Sequence, residues 1–271
     1  MPHVFACIDG STSPTAVCDY AAWASHRLST PLTLLHVLGH GQYPVARDLT
    51  GNIGLGSREQ LLQQLAELDE QRSKLALEEG RLLLESSRAR AISDGMDTVQ
   101  LRQRHGDLTE CLAELEQDNR LLVMGRQGEA GSTLNQQIGS HLESVIRTLH
   151  RPILISPQCF KTPGSAMLAF DGSNTTRKGV GMLASSPLFV DMPIHLVMVG
   201  VDTREARTQL ENAIAELKAA GMNAQGVIIA GEVEPALHYY QQEHGIDLLV
   251  MAPMGNRASG NSWWAARPPR Y

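Results

Sequence analysis

Val4-Phe5-Ala6-Cys7-Ile8-Asp9-Gly10-Ser11 near the N-terminus and Ala166-Met167-Leu168-Ala169-Phe170-Asp171-Gly172-Ser173 near the middle carry one pattern twice. Each is a short apolar run that ends in Asp-Gly-Ser and passes into a helical stretch. Two further echoes follow in the same order. Leu34-Leu35-His36-Val37-Leu38-Gly39 answers to His195-Leu196-Val197-Met198-Val199-Gly200. Gly106-Asp107-Leu108 through Leu121-Leu122-Val123-Met124 answers to Gly231-Glu232-Val233 through Leu248-Leu249-Val250-Met251. Three echoes in one order indicate two copies of a single domain. Pro157, Pro163 and Gly164 punctuate the stretch between Ser156 and Ser165, which places the domains at 1–157 and 164–271.

Within each copy the elements alternate. Apolar runs of four to seven residues bounded by turn signals predict strands buried on both faces, near 3–9, 32–38, 97–103, 120–124 and 152–156. Helical patterns lie between them at 14–28, 57–93, 108–119 and 140–149. Copy two repeats this with strands near 166–171, 194–200, 224–230 and 247–251 and helices near 174–185, 203–220 and 233–244. Strands that alternate with helices give βαβ units, so the expected fold class is α/β. It comprises two tandem doubly wound parallel-sheet (Rossmann-like) domains, the second truncated or aberrant at its C-terminal end. The interval from Asp9 to Gly106 is longer than that from Asp171 to Gly231 because of a Gly-rich loop, 39–56, and a longer helix. Leu61, Leu65 and Leu68 give that helix one apolar stripe, expected to pack on its own sheet, with the other copy or another subunit as the alternative.

The 271 residues are 42% hydrophobic and 19% charged, with a formal charge of -6. That balance, with no cluster of Lys and Arg, argues against nucleic-acid binding, which needs a basic surface. No apolar run approaches the roughly 20 residues of a membrane span, and Met1-Pro2-His3-Val4 does not begin a signal peptide. Cys7, Cys18, Cys111 and Cys159 form no CxxC pair and read as reduced thiols, so a cytoplasmic protein is expected. The histidines show no metal-like spacing, and Tyr239, Tyr240 and His244 read as part of a helix face.

In a doubly wound sheet, ligands bind outside the carboxyl ends of the strands where the strand order reverses. The segment after strand four of copy one reads Leu122-Val123-Met124-Gly125-Arg126-Gln127-Gly128, then ten residues, then Gly139-Ser140 opening a helix. Gly125 and Gly128 permit close backbone approach, and Gly139-Ser140 offers free amides at a helix N-terminus, where phosphate is favoured. Such a site holds an anion without a basic surface. Asp9 lies at the same sheet edge, where a carboxylate accepts hydrogen bonds from ribose or an adenine amino group. Met124 and Val37 supply an apolar wall for a base. Read alone, the glycines also suit a tight turn, and Asp9 suits a helix cap.

These features together resemble the universal stress protein family: Asp9 after strand one, Leu34-Leu35-His36-Val37 in strand two, Gly125-x2-Gly128-x10-Gly139-Ser140, and Leu149-His150-Arg151-Pro152-Ile153-Leu154-Ile155. The chain looks like the tandem type, with the resemblance covering about 3–156 and 165–252. The family spacing is G-x2-G-x9-G-(S/T), so copy one carries one extra residue. The resemblance implies ATP or another adenine nucleotide as ligand, with Mg2+ as an accompanying ion, intramolecular pairing of the two domains with a homodimer also open, and a role in stress resistance. Carried over position by position, adenine and ribose contacts fall on Cys7, Asp9 and Val37. Phosphate contacts fall on Gly125, Arg126, Gly128, Gly139, Ser140 and His141, mostly through backbone N–H groups. Cys7 stands where the family often has Pro.

After Met251 the family pattern stops. The chain reads Ala252-Pro253-Met254-Gly255 and ends Trp263-Trp264-Ala265-Ala266-Arg267-Pro268-Pro269-Arg270-Tyr271. No final helix or strand is recognisable there, and the prolines exclude a central strand. Restoring one G after the Met251 codon turns Ala252 into Gly, the Met254–Gly255 junction into Gly and the Trp264–Ala265 junction into Gly, which recovers G-x2-G-x9-G. A frameshift in the coding sequence is therefore expected, and the nucleotide site is expected in copy one. No nucleophile–base pair is evident, so at most weak hydrolysis is expected. The alternative reading is a nucleotide-independent dimeric scaffold that binds partner proteins. An adenylyl transferase or ATP pyrophosphatase would need HxGH or SGGxDS, and Asp9-Gly10-Ser11-Thr12 is neither.

Overall fold

The computed structural model describes residues 2–10, 14–39, 55–126 and 140–251, with backbone alone for 55–62 and 140–141. The chain divides into two compact units, Met1–Phe160 and Lys161–Tyr271.

The first unit is a five-stranded parallel sheet in the order β3-β2-β1-β4-β5. Its strands are β1 (His3–Cys7), β2 (Leu32–Leu38), β3 (Val99–His105), β4 (Asn119–Gly125) and β5 (Ile153–Ser156), joined by α1 (Pro14–Leu28), α2 (Leu55–Ser93), α3 (Leu108–Glu114) and α4 (Ser140–Thr148). The order reverses between β1 and β4, where Ala6 pairs with Val123. Helices α1 and α2 pack on one face of the sheet, and α3 and α4 pack together on the other. The central strands are apolar runs because both faces are covered: Val4, Phe5, Ala6, Leu34, Leu35, Leu122 and Val123 are all buried.

The second unit repeats the winding on a smaller scale, in the order β8-β7-β6-β9. It contains β6 (Ala166–Ala169), β7 (Ile194–Val199), β8 (Ala224–Ile229) and β9 (Leu248–Val250), with α5 (Asn174–Ser185), α6 (Arg204–Ala219) and α7 (Val233–Glu243) between them. Gly106 and Gly231, which open the turns into α3 and α7, have φ of 128° and 130°. That near-identical left-handed geometry, which favours glycine, shows the repeat at the level of the backbone. Among the described residues no helix is long and apolar enough to cross a membrane.

Three details differ from the sequence expectation. Strand β3 is shifted toward the C-terminus, at Val99–His105. The helix expected over 108–119 ends at Glu114, and a 3-10 turn over Glu116–Asp118 feeds β4; the buried Leu115 kept the apolar pattern running through the break. The long helix α2 does not lay its leucine stripe on the sheet. It reaches the domain through Gly80, Leu84, Ser87 and Ala91, all buried, whereas Leu65 and Leu68 are 40% and 49% exposed. Gly80 is required there, because a Cβ would lie 2.6 Å from the His36 ring and 2.4 Å from Gln103. Arg90 grips both carboxylate oxygens of Asp19 on α1, and Cys18 donates its thiol to the Ser87 carbonyl.

Candidate functional site

The carboxyl end of the first sheet is built by hydrogen bonds that carry the chain past the last residue of β1. Ile8 N–H donates to the Leu35 carbonyl at 2.8 Å, and His36 Nδ1 lies 2.7 Å from the Ile8 carbonyl. These contacts hold Ile8 against β2 and deliver Asp9 to the rim, two residues beyond Cys7.

Cys7, Val37 and Met124 lie on one face of the sheet, in or against one apolar cluster with Phe5, Leu35, Leu112, Leu122, Leu142 and Val145. Cys7 comes from β1, Val37 from β2 and Met124 from β4, so three strands that neighbour one another contribute apolar residues near their carboxyl ends to one wall. Met124 is buried, while Cys7 and Val37 are half-buried. Burial, and next the Asp9 carboxylate, push the Cys7 thiol up to about 12. A thiol so displaced is neutral at cell pH and is a wall residue, not a nucleophile. Asp9 follows two residues after Cys7, at the same carboxyl end of the sheet.

Strand β4 ends at Gly125, which is paired with Ser156, and half-buried Arg126 follows it. Helix α4 begins at Ser140 on the same face as the wall, because Leu142 and Val145 join that cluster. Gly128 and Gly139 lie outside the described residues, as do the side chains of Ser140 and His141. The structure thus brings together Cys7, Asp9, Val37, Met124 and Gly125, with Arg126 next in the chain and Ser140 opening the helix above.

One residue at this edge was missed from sequence. The Ser156 hydroxyl, at the end of β5 beside Gly125, is buried and has no hydrogen-bond partner among the described residues. Its only signal was a lone hydroxyl closing the apolar run Ile153-Leu154-Ile155. Cavities of about 360 Å³, beside Glu116, Gln117, His150 and Arg151, and about 480 Å³, between Ser25 and Gln100, lie away from the switch point. Among the described residues no group of His, Cys, Asp or Glu could hold a metal ion.

The sequence model of the universal stress protein family matches residues 1–157. This chain belongs to the universal stress protein family. A curated relative, universal stress protein Slr1230 of Synechocystis sp., is 32% identical over 260 residues, an alignment that spans 94% of this chain and 91% of that protein. The crystal structure of a universal stress protein from Archaeoglobus fulgidus superposes with a TM-score of 0.64 over 92% of this chain and 84% of its own, at 14% identity. That likeness establishes a shared fold. The relatives are matched well beyond residue 157, so the tandem arrangement of this universal stress protein is common to the alignment and the superposition.

Proposed function

We propose that this universal stress protein binds an adenine nucleotide, ATP, ADP or AMP, in its first unit, and that it serves stress resistance with little or no catalysis. The observation that carries this reading is the convergence of Cys7, Val37 and Met124 into one wall at the strand-order reversal, with Asp9 bearing on it. A purine packs on such a wall, and a carboxylate at its edge accepts hydrogen bonds from ribose hydroxyls. Polyphosphate would be held by backbone N–H groups between Gly125 and His141, with Arg126 as a cation at the start of that segment and Mg2+ as an optional companion of the phosphates. The neutral Cys7 thiol supplies no nucleophile, which fits a binding role.

Calorimetry with ATP, ADP and AMP, with and without Mg2+, tests the proposal. The intact chain should bind at least one of them, and Gly128→Val should abolish binding while the circular dichroism spectrum is unchanged. Unaltered affinity in that variant would remove the phosphate-loop assignment. The second reading, a scaffold for protein partners, draws on the exposed leucines of α2; gently purified protein that carries no nucleotide and binds none at millimolar concentration would favour it.

A further inference from the structure

The N-terminal half of α2 carries an apolar face that its own domain does not cover. Leu65, Leu68, Leu75 and Leu82 are 40%, 49%, 70% and 55% exposed. Together with Arg72 and Glu79 they alternate at spacings of three and four, the a/d seam of a coiled coil. At 3.6 residues per turn the seam lies about 120° around the helix from the buried face of Gly80, Leu84, Ser87 and Ala91. The leucines therefore point away from the sheet that α2 serves.

The charges beside the seam say what covers it. Lys74 pairs with Glu70, Arg81 with Glu78 and Arg88 with Glu85, all within the helix. Arg72 and Glu79, the two charged residues in the seam itself, have no ion-pair partner among the described residues. We propose that α2 pairs antiparallel with α2 of a second copy of this chain. Two-fold symmetry then sets Leu65 opposite Leu82, Leu68 opposite Glu79 and Arg72 opposite Leu75 of the other copy. Arg72 comes to the layer next to Glu79 of the second copy, about 6 Å away along the axis at 1.5 Å per residue, and the two-fold makes that ion pair twice. A parallel pair would set Arg72 on Arg72 and Glu79 on Glu79, which like-charge repulsion disfavours. Antiparallel pairing also aligns the helix dipoles favourably and puts the two first units at opposite ends of the helix pair. A seam from Leu65 to Leu82 is about 26 Å long and covers less than the roughly 800 Å² per partner of a standard interface. The dimer is therefore concentration-dependent. This inference does not rest on nucleotide binding.

Sedimentation velocity of the full chain, from low to high micromolar, is the test. The wild type should pass from monomer to dimer, and Leu75→Glu should weaken dimerisation by at least about tenfold with a melting temperature unchanged at dilute, monomeric concentration. Arg72→Glu and Glu79→Arg should each be monomeric under the same conditions. The double variant Arg72→Glu/Glu79→Arg, and an equimolar mixture of the two single variants, should dimerise again. A wild type that stays monomeric throughout would overturn the proposal, and so would a dimer indifferent to Leu75→Glu. Failure of the double variant to dimerise would overturn the antiparallel pairing, because a parallel pair would be rescued in the mixture but not in the double variant. A monomer whose melting temperature falls in Leu75→Glu would show instead that the stripe is covered within its own chain.

Discussion

The two units solve the same crossover with different helices. Between β7 and β8, α6 takes 16 residues, with Thr203 capping it through Ala206 N–H and Leu210, Ala213 and Leu217 buried on one face. Between β2 and β3, α2 takes 39 residues, and its buried positions begin only at Gly80 among those whose side chains are described. The shorter helix shows how much length a crossover of this sheet requires. The surplus in α2 is thus not explained by the sheet. A second contrast sits at the Asp-Gly-Ser turns. Asp171 accepts from Ser173 N–H at 2.9 Å and the Thr176 hydroxyl at 2.8 Å, so its carboxylate is committed to starting α5. Behind it stands Ala169, whereas behind Asp9 stands the Cys7 thiol that Asp9 perturbs.

The largest expected effect on a rate exploits that thiol. With its pKa up at about 12, Cys7 at pH 8 should react with iodoacetamide roughly fiftyfold more slowly than an ordinary thiol of pKa near 8.5, its much smaller thiolate fraction being only partly offset by the greater nucleophilicity of the thiolate. Exposed Cys159 should be labelled first. Peptide mass spectrometry over a time course reads both sites, and early labelling of Cys7 would mean that the wall is open and wet.

The crossover contrast predicts the largest effect on stability. Leu84→Ala in α2 and Leu217→Ala in α6 remove side chains that are 3% and 0% exposed, and each should cost about 3 kcal/mol in urea denaturation. Leu75→Ala, on the same helix as Leu84, should stay within about 0.5 kcal/mol at dilute, monomeric concentration. Equal costs for Leu75 and Leu84 would erase the distinction between the two halves of α2.

The contrast also marks where the sequence was legible. Strands β1, β2, β4, β6 and β7 declare themselves because burial on both faces leaves nearly continuous apolar runs, such as Leu32–Leu38 and Ile194–Val199, interrupted by the buried Thr33, His36 and His195. Helices α1 and α5 were readable to the residue. That Cys7, Val37 and Met124 meet one apolar cluster was legible too, because they lie near the carboxyl ends of strands whose topology follows from βαβ winding. The destination of the α2 stripe was not. Periodicity shows that a face is apolar, but not what covers it, and here the buried face is made of the small residues Gly80, Ser87 and Ala91 around Leu84, which carry little periodic signal. Tyr240 likewise read as part of a helix face, yet it is buried, with its hydroxyl 2.9 Å from His195 Nδ1 and its ring stacked on His244. That network joins residues far apart in the chain, which no local pattern records.

A smaller pair of effects separates the twin turns. Asp9→Ala should weaken nucleotide binding about tenfold, the equivalent of one hydrogen bond to a sugar hydroxyl at about 1.4 kcal/mol. Asp171→Ala should leave binding intact and destabilise the second unit by about 1 kcal/mol at pH 7. Burial alone would raise the Asp171 carboxyl, but the hydrogen bonds from Ser173 and Thr176 outweigh it and hold it below the usual carboxylate range. Its stabilisation is therefore present above the unfolded value near about 3.9 and is lost as pH falls through the lower folded value. The difference between wild type and Asp171→Ala in thermal melts should accordingly vanish in strong acid. If Asp171→Ala abolished binding, or Asp9→Ala did not affect it, the assignment of the site to the first unit would be reversed.

The smallest effect lies in the second unit. Burial, and next the positive charge of His244, hold the His195 imidazole below its ordinary value of 6.5. The ring sits between the Tyr240 hydroxyl and the Gln225 amide, whose Nε2 is 2.8 Å from His195 Nε2. With no carboxylate among these contacts, the folded state resists protonation that the unfolded chain accepts. Stability is then complete above pH 6.5 and declines as pH falls from there toward the folded value. His195→Gln should flatten that decline, and His244→Ala should reduce it by removing the neighbouring charge. Melting temperatures at pH 7.5 and 5.5 for the three proteins measure the slopes. His3 in the first unit is shifted in the same direction by its burial and by Arg102, so the informative quantity is the change in slope between variants. A slope untouched by His195→Gln would mean that the acid sensitivity of the chain resides in the first unit, and the His195–Tyr240 pair would then be packing without titration.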